Sequence, residues 1–274
     1  MKPRVFGWLA ASLLCADGAL AQTYVVGVEQ QAFQPHYWQD EQGEYRGFAR
    51  EVLDLFARDA GIELRYQTFP VSQLTQQLLD GNVDFKYPDS PRWAIGAKQG
   101  AGVAYSQPVV SYVDGVLVAP AKLGQGVEHL QRLALVEGWT PGDYQERIAA
   151  GKTQLVRAAD LKQMLRLAMR DEAQGAYYNV VVATYYLDNI RTRPGALVFD
   201  PSLPHSRGSF HLSSVRQAQL LKRFDQFLQA KASEIAALKE RHGVEAGLNS
   251  EYLGMEQWKV DFLKRQKEKR GESK

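Results

Sequence analysis

The chain has 274 residues, of which 45% are hydrophobic and 23% are charged. That length is enough for one large domain or two modest lobes with buried cores. The formal net charge is only +2, which is too small to indicate nucleic acid or an anionic membrane as a partner. The sequence has no Walker-type or dinucleotide-binding glycine pattern, no HExxH and no CxxC, so it predicts neither a cofactor nor a metal site.

Residues 1–21 have the layout of a secretory signal peptide. Lys2 and Arg4 give a positive start, VFGWLAASLLCA is an apolar run of signal length, and small residues at 19–21 offer a cleavage site. A buried N-terminal helix is the alternative. The only cysteine, Cys15, lies in this leader, so the exported chain would carry no disulfide. We therefore expect a periplasmic protein that is stabilised by its core.

Strands and helices alternate after the leader. The run TYVVGVE at 23–29 predicts a strand, and GFAREVLDLFARDAG predicts a helix with Phe48, Val52 and Phe56 on one face. IELRYQTF alternates like a strand, VSQLTQQLLDG predicts a helix with Ser72 as its N-cap, and VDFKY predicts a third strand. This order predicts a parallel, doubly wound sheet with right-handed crossovers.

The alternation restarts after the long apolar strand VVSYVDGVLVAP at 109–120. The strand RLALVEG, a helix from TPGDYQERIAAG, the strand TQLVRAA, a helix from Asp160 and the strand GAYYN follow in turn. A long amphipathic helix then carries apolar residues from Leu221 to Leu238, and the tail predicts one more helix with Trp258 and Phe262 facing inward. We predict two α/β lobes whose strand ends face a common ligand cleft.

The order of these elements resembles bacterial extracytoplasmic solute-binding proteins of family 3, the polar amino acid type. Local matches carry the resemblance over about residues 24–242: VGVEQQAFQPHYWQDEQGEYRGFAREVLDLFA, LLDGNVDF, YSQPVV, EGWTPGDY and GAYYN. The implied fold is the two-lobed type II periplasmic binding protein fold, in which each lobe is a doubly wound α/β sheet flanked by helices and two crossovers form the hinge.

The resemblance implies boundaries for these parts. Lobe 1 is expected from residues 22–112 and 208–242, lobe 2 from 113–207, and a C-terminal helical extension from 243–274. The hinge is expected near residues 111–115 and 203–209.

The same resemblance implies ligand contacts near two helix and strand ends. Phe33 matches the aromatic residue after the first strand and can stack on a ligand, although packing between lobes is the alternative. Thr140 matches the start of a second-lobe helix, where a hydroxyl caps the helix and free N–H groups can hold an anion. Trp139 beside it either stacks on the ligand or covers the lobe.

Two positions depart from the pattern of the amino acid binders. Those relatives have an arginine shortly after the third strand, and Arg92 is the nearest arginine here without matching its spacing. Where they have an aspartate for the ligand ammonium, GAYYN has Asn179. A neutral amide forms hydrogen bonds but supplies no charge. We therefore do not expect a standard L-amino acid held in the usual manner.

The stretch GNVDFKYPDSPRW at 81–93 offers replacement contacts. Lys86, Tyr87 and Asp89 fall where those relatives present small residues to the ligand. They either supply the missing charged contacts or, in the case of Lys86 and Asp89, form an internal pair. His205 and Arg207 lie by the second crossover, from which side chains either reach the cleft or serve the hinge.

These observations predict a periplasmic protein that closes on a small polar solute, amino-acid-like or a related metabolite, and delivers it to a membrane ABC permease. The alternatives are a ligand-sensing subunit of a membrane signalling protein and, less favoured, a secreted dehydratase-type enzyme on the same fold. No catalytic residue set is evident in the sequence. We expect a monomer whose partners are the solute and a membrane permease or receptor.

Overall fold

The computed structural model describes residues 21–191, 193–249, 252–255 and 257–269. The predicted signal peptide, apart from Ala21, lies outside the described residues. The first part of the chain forms these elements in order: β1 (Thr23–Glu29), β2 (Trp38–Gln39), β3 (Tyr45–Arg46), α1 (Phe48–Ala60), β4 (Glu63–Phe69), α2 (Val71–Leu79), β5 (Phe85–Asp89), α3 (Ile95–Lys98) and β6 (Ala104–Tyr105).

The second part continues the alternation of strands and helices and then ends in three helices. Its elements are β7 (Val110–Val118), β8 (Arg132–Val136), α4 (Gln145–Ala149), β9 (Gln154–Ala158), α5 (Leu161–Met169), β10 (Gly175–Asn179), α6 (Val180–Tyr185), β11 (Val198–Phe199), β12 (Ser206–Ser214), α7 (Ala218–Ala230), α8 (Ala232–His242) and α9 (Gln257–Lys269). In the part of the chain that the structure describes, no helix combines the length and the apolar character needed to cross a membrane.

The main strands form one path in the order β4-β1-β5-β12-β7-β10-β8-β9. In the first half of this path, β1 lies parallel between β4 and β5, and in the second half β8 lies parallel between β9 and β10. Both sets of parallel strands confirm the βαβ prediction, because parallel neighbours need a crossover such as a helix. The strands β7 and β12 join the two halves.

The two joining strands pair with each other in antiparallel register from Ser206 opposite Asp114 to Phe210 opposite Val110. Beyond that stretch, β12 pairs with β5 on one side of the molecule, while β7 pairs with β10 on the other. The segments expected to form the hinge, 111–115 and 203–209, therefore lie in or next to one two-stranded connection. The lobe boundaries and any motion about this connection stay predictions.

The helix faces agree with the sequence periodicity in the first half of the chain. Phe48, Val52 and Phe56 of α1 are fully buried, and the helix ends at Gly61, whose φ of 65° closes it in the left-handed conformation. The predicted N-cap of α2 is wrong, because the flanking residue is Pro70 and Ser72 lies inside the first turn.

Two predictions for the C-terminal helices are also wrong. The single long helix is divided into α7 and α8, which meet at Lys231. In the tail, α9 buries Val260, whereas Trp258 and Phe262 are 60% and 48% exposed. The periodic pattern therefore located the helices but misassigned the inner face of the last one.

Gly175 of β10 provides a test of how closely the second half is packed. A Cβ added there would overlap Val116 Cγ1 and lie 3.1 Å from Leu130 Cδ1, both in the core. We expect Gly175→Ala to lower the free energy of unfolding by about 1–3 kcal/mol, the usual cost of overpacking a core. Denaturant unfolding measures this change.

Gly96 in α3 is the matched control, since a Cβ there would meet no heavy atom within 4 Å. Gly96→Ala should leave stability unchanged or raise it by up to about 1 kcal/mol, because alanine is the better helix former. An equal loss of stability in both variants would contradict the packing of β10 described here.

Candidate functional site

A cavity of about 230 Å³ lies where the two halves of the molecule meet. The first half contributes the end of β1, Lys86 of β5, part of α2 and the segment 93–97. The second half contributes the loop after β8, and Asp114 comes from the joining strand β7. The polar and aromatic side chains of the lining are Glu29, Ser72, Thr75, Gln76, Lys86, Trp93, Asp114, Trp139 and Thr140. The site therefore draws on both halves, as the sequence analysis expected.

The halves touch directly at one edge of this cavity. Gly138 has a φ of 87°, and a Cβ added there would lie 3.1 Å from the backbone nitrogen of Ser72 and 3.3 Å from Val71 Cβ. Glycine is the residue that permits both this conformation and this close approach. The loop that carries Trp139 and Thr140 is thus positioned against α2.

Lys86 lines the cavity but already has a carboxylate partner behind it. Its Nζ lies 2.8 Å from Asp89 Oδ1, and Nζ of Lys98 lies 2.6 Å from the same oxygen. Ser213 donates to the other oxygen, Oδ2, at 2.7 Å. Burial alone would raise the pKa of Asp89, but the two lysines hold it below its usual range. The internal pair of Lys86 with Asp89 is therefore present, and a contact of Lys86 with a ligand stays a prediction.

Two further carboxyl groups line the cavity without any lysine or arginine in hydrogen-bond contact. Glu29 ends β1 and accepts hydrogen bonds from the Tyr37 hydroxyl and, at 3.0 Å, from Gln31 Nε2. Asp114 lies in β7, and its Oδ1 is buried with no hydrogen-bond partner. Burial raises the pKa of Glu29. Burial raises the pKa of Asp114 to about 8, although the Arg92 charge partly opposes this. The cavity therefore contains two acidic groups that no basic side chain among the described residues neutralises.

Glu29 and Asp114 are not among the site residues predicted from the sequence. Both interrupt strongly apolar strands, Glu29 at the end of TYVVGVE and Asp114 inside VVSYVDGVLVAP. Acidic residues are almost never fully buried unless they are paired. An acidic residue inside such a strand was the signal that could have identified them.

Aromatic rings form the wall between the cavity and the core. Trp139 stacks on Tyr178 with a centroid separation of 4.2 Å, and Phe33 lies behind them, 5.9 Å from Trp139 and 5.6 Å from Tyr178. Phe33 is buried and does not line the cavity, so it takes the packing role that was left open for it. On the opposite side, Lys86 Nζ lies 5.7 Å from the centroid of Trp93.

Several other predicted site residues take part in internal contacts. Asn179 accepts a hydrogen bond from the backbone N–H of Val182 at 3.0 Å and so caps α6, whereas its buried amide nitrogen has no partner. Tyr87 is buried, and burial raises the pKa of its hydroxyl, which also has no partner. Thr140 lines the cavity, but the helix expected to begin there starts at Gln145. The predicted capping role of Thr140 is therefore wrong.

The arginine expected after the third strand and the two residues expected at the second crossover also make local contacts. The Arg92 guanidinium donates to the backbone carbonyl of Arg207, and Arg207 Nη1 donates to the carbonyl of Leu248 at 2.7 Å. His205 Nδ1 lies 3.0 Å from the carbonyl oxygen of Leu203. These side chains do not line the cavity, and a role for them in ligand binding stays a prediction.

A scan against protein-family models matches residues 24–245 to the bacterial extracellular solute-binding proteins, family 3. The chain belongs to this family. A search of curated proteins gave no match. Membership confirms the resemblance seen in the sequence motifs and establishes a solute-binding role.

Solved structures show the same fold at low sequence identity. A Salmonella typhimurium periplasmic binding protein with high arginine specificity has a TM-score of 0.64 and 15% identity, over 81% of this chain and 99% of that one. A histidine kinase sensor domain similar to periplasmic binding proteins has a TM-score of 0.66 and 19% identity, over 81% and 96%. An ancestral amino acid-binding protein, a precursor of cyclohexadienyl dehydratase, has a TM-score of 0.63 and 17% identity, over 80% and 95%.

This family 3 protein therefore has the two-lobed type II periplasmic binding protein fold. The cavity lining differs from the family pattern that was expected from the sequence. It includes two acids and one lysine, whereas Arg92 does not line the cavity and contacts the carbonyl of Arg207. The acid that the pattern places at position 179 is absent, but Asp114 is the cross-strand neighbour of Asn179 in the β7–β10 pair. An acidic residue therefore lies on the adjacent strand, opposite position 179.

The raised pKa of Asp114 predicts how stability depends on pH. An aspartate in the unfolded chain titrates near pH ~3.9, whereas folded Asp114 titrates at about 8. Between these values the folded state alone binds the proton, so this group's contribution to stability falls as pH rises through that window. Melting temperatures are measured without ligand. We expect the difference between Asp114→Asn and wild type to change in favour of the variant when the pH is raised from acidic values to above 8.

Asp59→Asn is the matched control, because Asp59 is an exposed acid on α1. The difference in melting temperature between this control and wild type should be the same at both pH values. If the difference in melting temperature between Asp114→Asn and wild type is also the same at both pH values, the carboxyl group of Asp114 is not held protonated by burial.

Proposed function

We propose that this family 3 protein is a periplasmic binding protein that captures a small polar solute carrying a positively charged amine. One observation carries the proposal. Two buried carboxyl groups, Glu29 and Asp114, line the cavity between the halves, while the positive charge of Lys86 is already bound to Asp89. A cationic group supplies the partner that these acids lack, because a nearby opposite charge favours the ionised carboxylate.

The aromatic lining supports the same ligand class. Trp93 and Trp139 both line the cavity, and indole faces attract ammonium and guanidinium groups more strongly than other aromatic rings do. The unpartnered Oδ1 of Asp114 can accept an N–H donor directly. An amine bound between these groups would be held by charge, hydrogen bonding and ring contacts together.

The cavity offers fewer contacts for a ligand carboxylate than for a ligand amine. Lys86 is the single basic residue among the described residues that line the cavity, and a carboxylate would compete with Asp89 for its ammonium group. We therefore infer that the solute is held mainly through its amine, which allows amino acids, decarboxylated amines and related metabolites. The arginine- and amino acid-binding proteins of the same fold support a ligand of this kind.

Capture would proceed by closure of the lobes about the paired strands β7 and β12. A solute that contacts Glu29 and Lys86 in one half and Trp139 in the other favours the closed form through its higher affinity for that form. The leader at residues 1–21 would export the chain to the periplasm. There the loaded protein would deliver its solute to a membrane ABC permease.

Sensing is the second candidate role for the same binding event. It is supported by the similarity to a histidine kinase sensor domain over 81% of the chain. A deletion strain separates the two roles, because transport predicts lost uptake of the radiolabelled solute, whereas sensing predicts unchanged uptake and a lost transcriptional response. Catalysis would be revealed by conversion of the bound solute, monitored by nuclear magnetic resonance.

Removing one cavity acid should weaken binding strongly. We expect an amine-bearing compound, from a set of amino acids, polyamines, organic acids and short saccharides at millimolar concentration, to raise the melting temperature of the wild-type chain. Asp114→Asn should then weaken binding about tenfold or more, because a charge-assisted hydrogen bond is lost. Isothermal titration calorimetry measures both affinities.

Asp59→Asn again serves as the control, with an unchanged affinity expected. Glu29→Gln should act in the same direction as Asp114→Asn. Binding of a saccharide or an organic acid alone, with no effect of either cavity variant, would overturn the assignment of an amine ligand while leaving a binding protein in place.

A further inference from the structure

A second cavity, of about 210 Å³, lies in the second half of the molecule and shares no lining residue with the solute cavity. It occupies the groove between α5 and the irregular turn that follows α6. Five basic residues line it: Lys162, Arg166, Arg170, Arg191 and Arg193. None of the described residues that line this cavity is acidic.

Helical spacing explains why three of these charges lie together. Lys162 and Arg166 lie four residues apart on one face of α5, and Arg170 follows four residues later as the C-cap residue of the helix. Arg191 and Arg193 come from the segment after α6 and line the same cavity. Like charges at this spacing repel one another within a helix, so these charges do not serve to stabilise α5.

The basic groups are largely uncompensated within the described chain. Arg170 forms a long ion pair with Glu172 at 4.0 Å, in which both side chains are more than half exposed. Lys162, Arg166 and Arg191 form no hydrogen bond or ion pair through their side chains among the described residues. By contrast, Arg147 elsewhere in the same half contacts Glu128 at 2.8 Å. A cluster of unpaired charges of one sign creates a local potential that concentrates counter-ions.

The rest of the lining is apolar and mostly buried. Leu165 and Leu187 are buried, and Met169 and Tyr186 are half-buried. An apolar floor under a basic rim accepts an anion that carries a small uncharged part, since the floor contributes burial and the rim contributes charge. The cavity is smaller than the range of about 300–1,000 Å³ that holds drug-sized ligands.

Four of the five basic residues are arginine, and this composition favours one class of anion. The planar guanidinium group presents paired N–H donors that match phosphate oxygens. Several guanidinium groups around one site can hold a doubly charged anion. A single carboxylate would leave most of these charges unmatched. Phosphate esters and pyrophosphates fit the charge of the rim better.

We propose that this basic cavity binds a phosphate-bearing anion at a site independent of the solute cavity. The phosphate comes either from a free molecule in the periplasm or from the headgroup of an anionic lipid at the membrane surface. Both sources present the same chemistry to Arg166 and Arg191.

Two probes separate the sources. Sodium pyrophosphate is titrated into the purified chain in low-salt buffer by calorimetry, because salt screens exposed charges. Flotation is measured separately with phosphatidylcholine vesicles and with vesicles that also contain phosphatidylglycerol. We expect binding to pyrophosphate, to phosphatidylglycerol vesicles, or to both, and a loss of about tenfold or more in Arg166→Gln/Arg191→Gln. Pyrophosphate alone would identify a free anion, and vesicles alone would identify a lipid headgroup.

The matched control is Arg65→Gln/Lys222→Gln, which removes the same charge from exposed positions in the first half. It should change binding by no more than about twofold, as expected for exposed charges. Arg191→Gln alone, at an exposed position, should retain the fold and still weaken binding if the double variant is unstable. Absence of binding to both probes, or equal losses in the cavity variant and the control, would overturn the proposal.

Discussion

The buried carboxylate of Asp89 is the constraint on which the site depends. Its side chain is fully buried, yet it stays charged because Lys86, Lys98 and Ser213 all bind it. Removing one member of such a buried ionic cluster typically costs about 3–5 kcal/mol, since an uncompensated charge remains. These contacts tie the end of β5 to α3 and to β12, which carries the chain between the two halves.

The same cluster determines what the solute cavity can offer. Because Asp89 takes up the charge of Lys86, the remaining ionisable groups of the lining are Glu29 and Asp114. The contacts that connect the two lobes and the ligand preference of the cavity therefore both depend on Lys86. The family's solute-binding role is retained, while the acid proposed to meet the ligand lies on a connecting strand rather than at the position taken by Asn179.

The sequence predicted the order of strands and helices because apolar periodicity is a local property. It also predicted that residues near 86 and 139 would meet. Glu29 and Asp114 were missed because their burial depends on which strands come together in the sheet, as where Asp114 lies opposite Asn179 in the β7–β10 pair. Thr140 failed as a cap because Pro141 and a short turn intervene before α4. Arg92 could not be placed from local sequence, since its partner, the carbonyl of Arg207, lies 115 positions away.

The aromatic contact of Phe33 with Trp139 and Tyr178 has a consequence for kinetics. Separating the halves would expose these rings to water, which costs on the order of a few kcal/mol for side chains of this size. In the proposed closure about β7 and β12, this cost would favour the shut form of the empty molecule. Exchange of solute would then be limited by how often these rings separate.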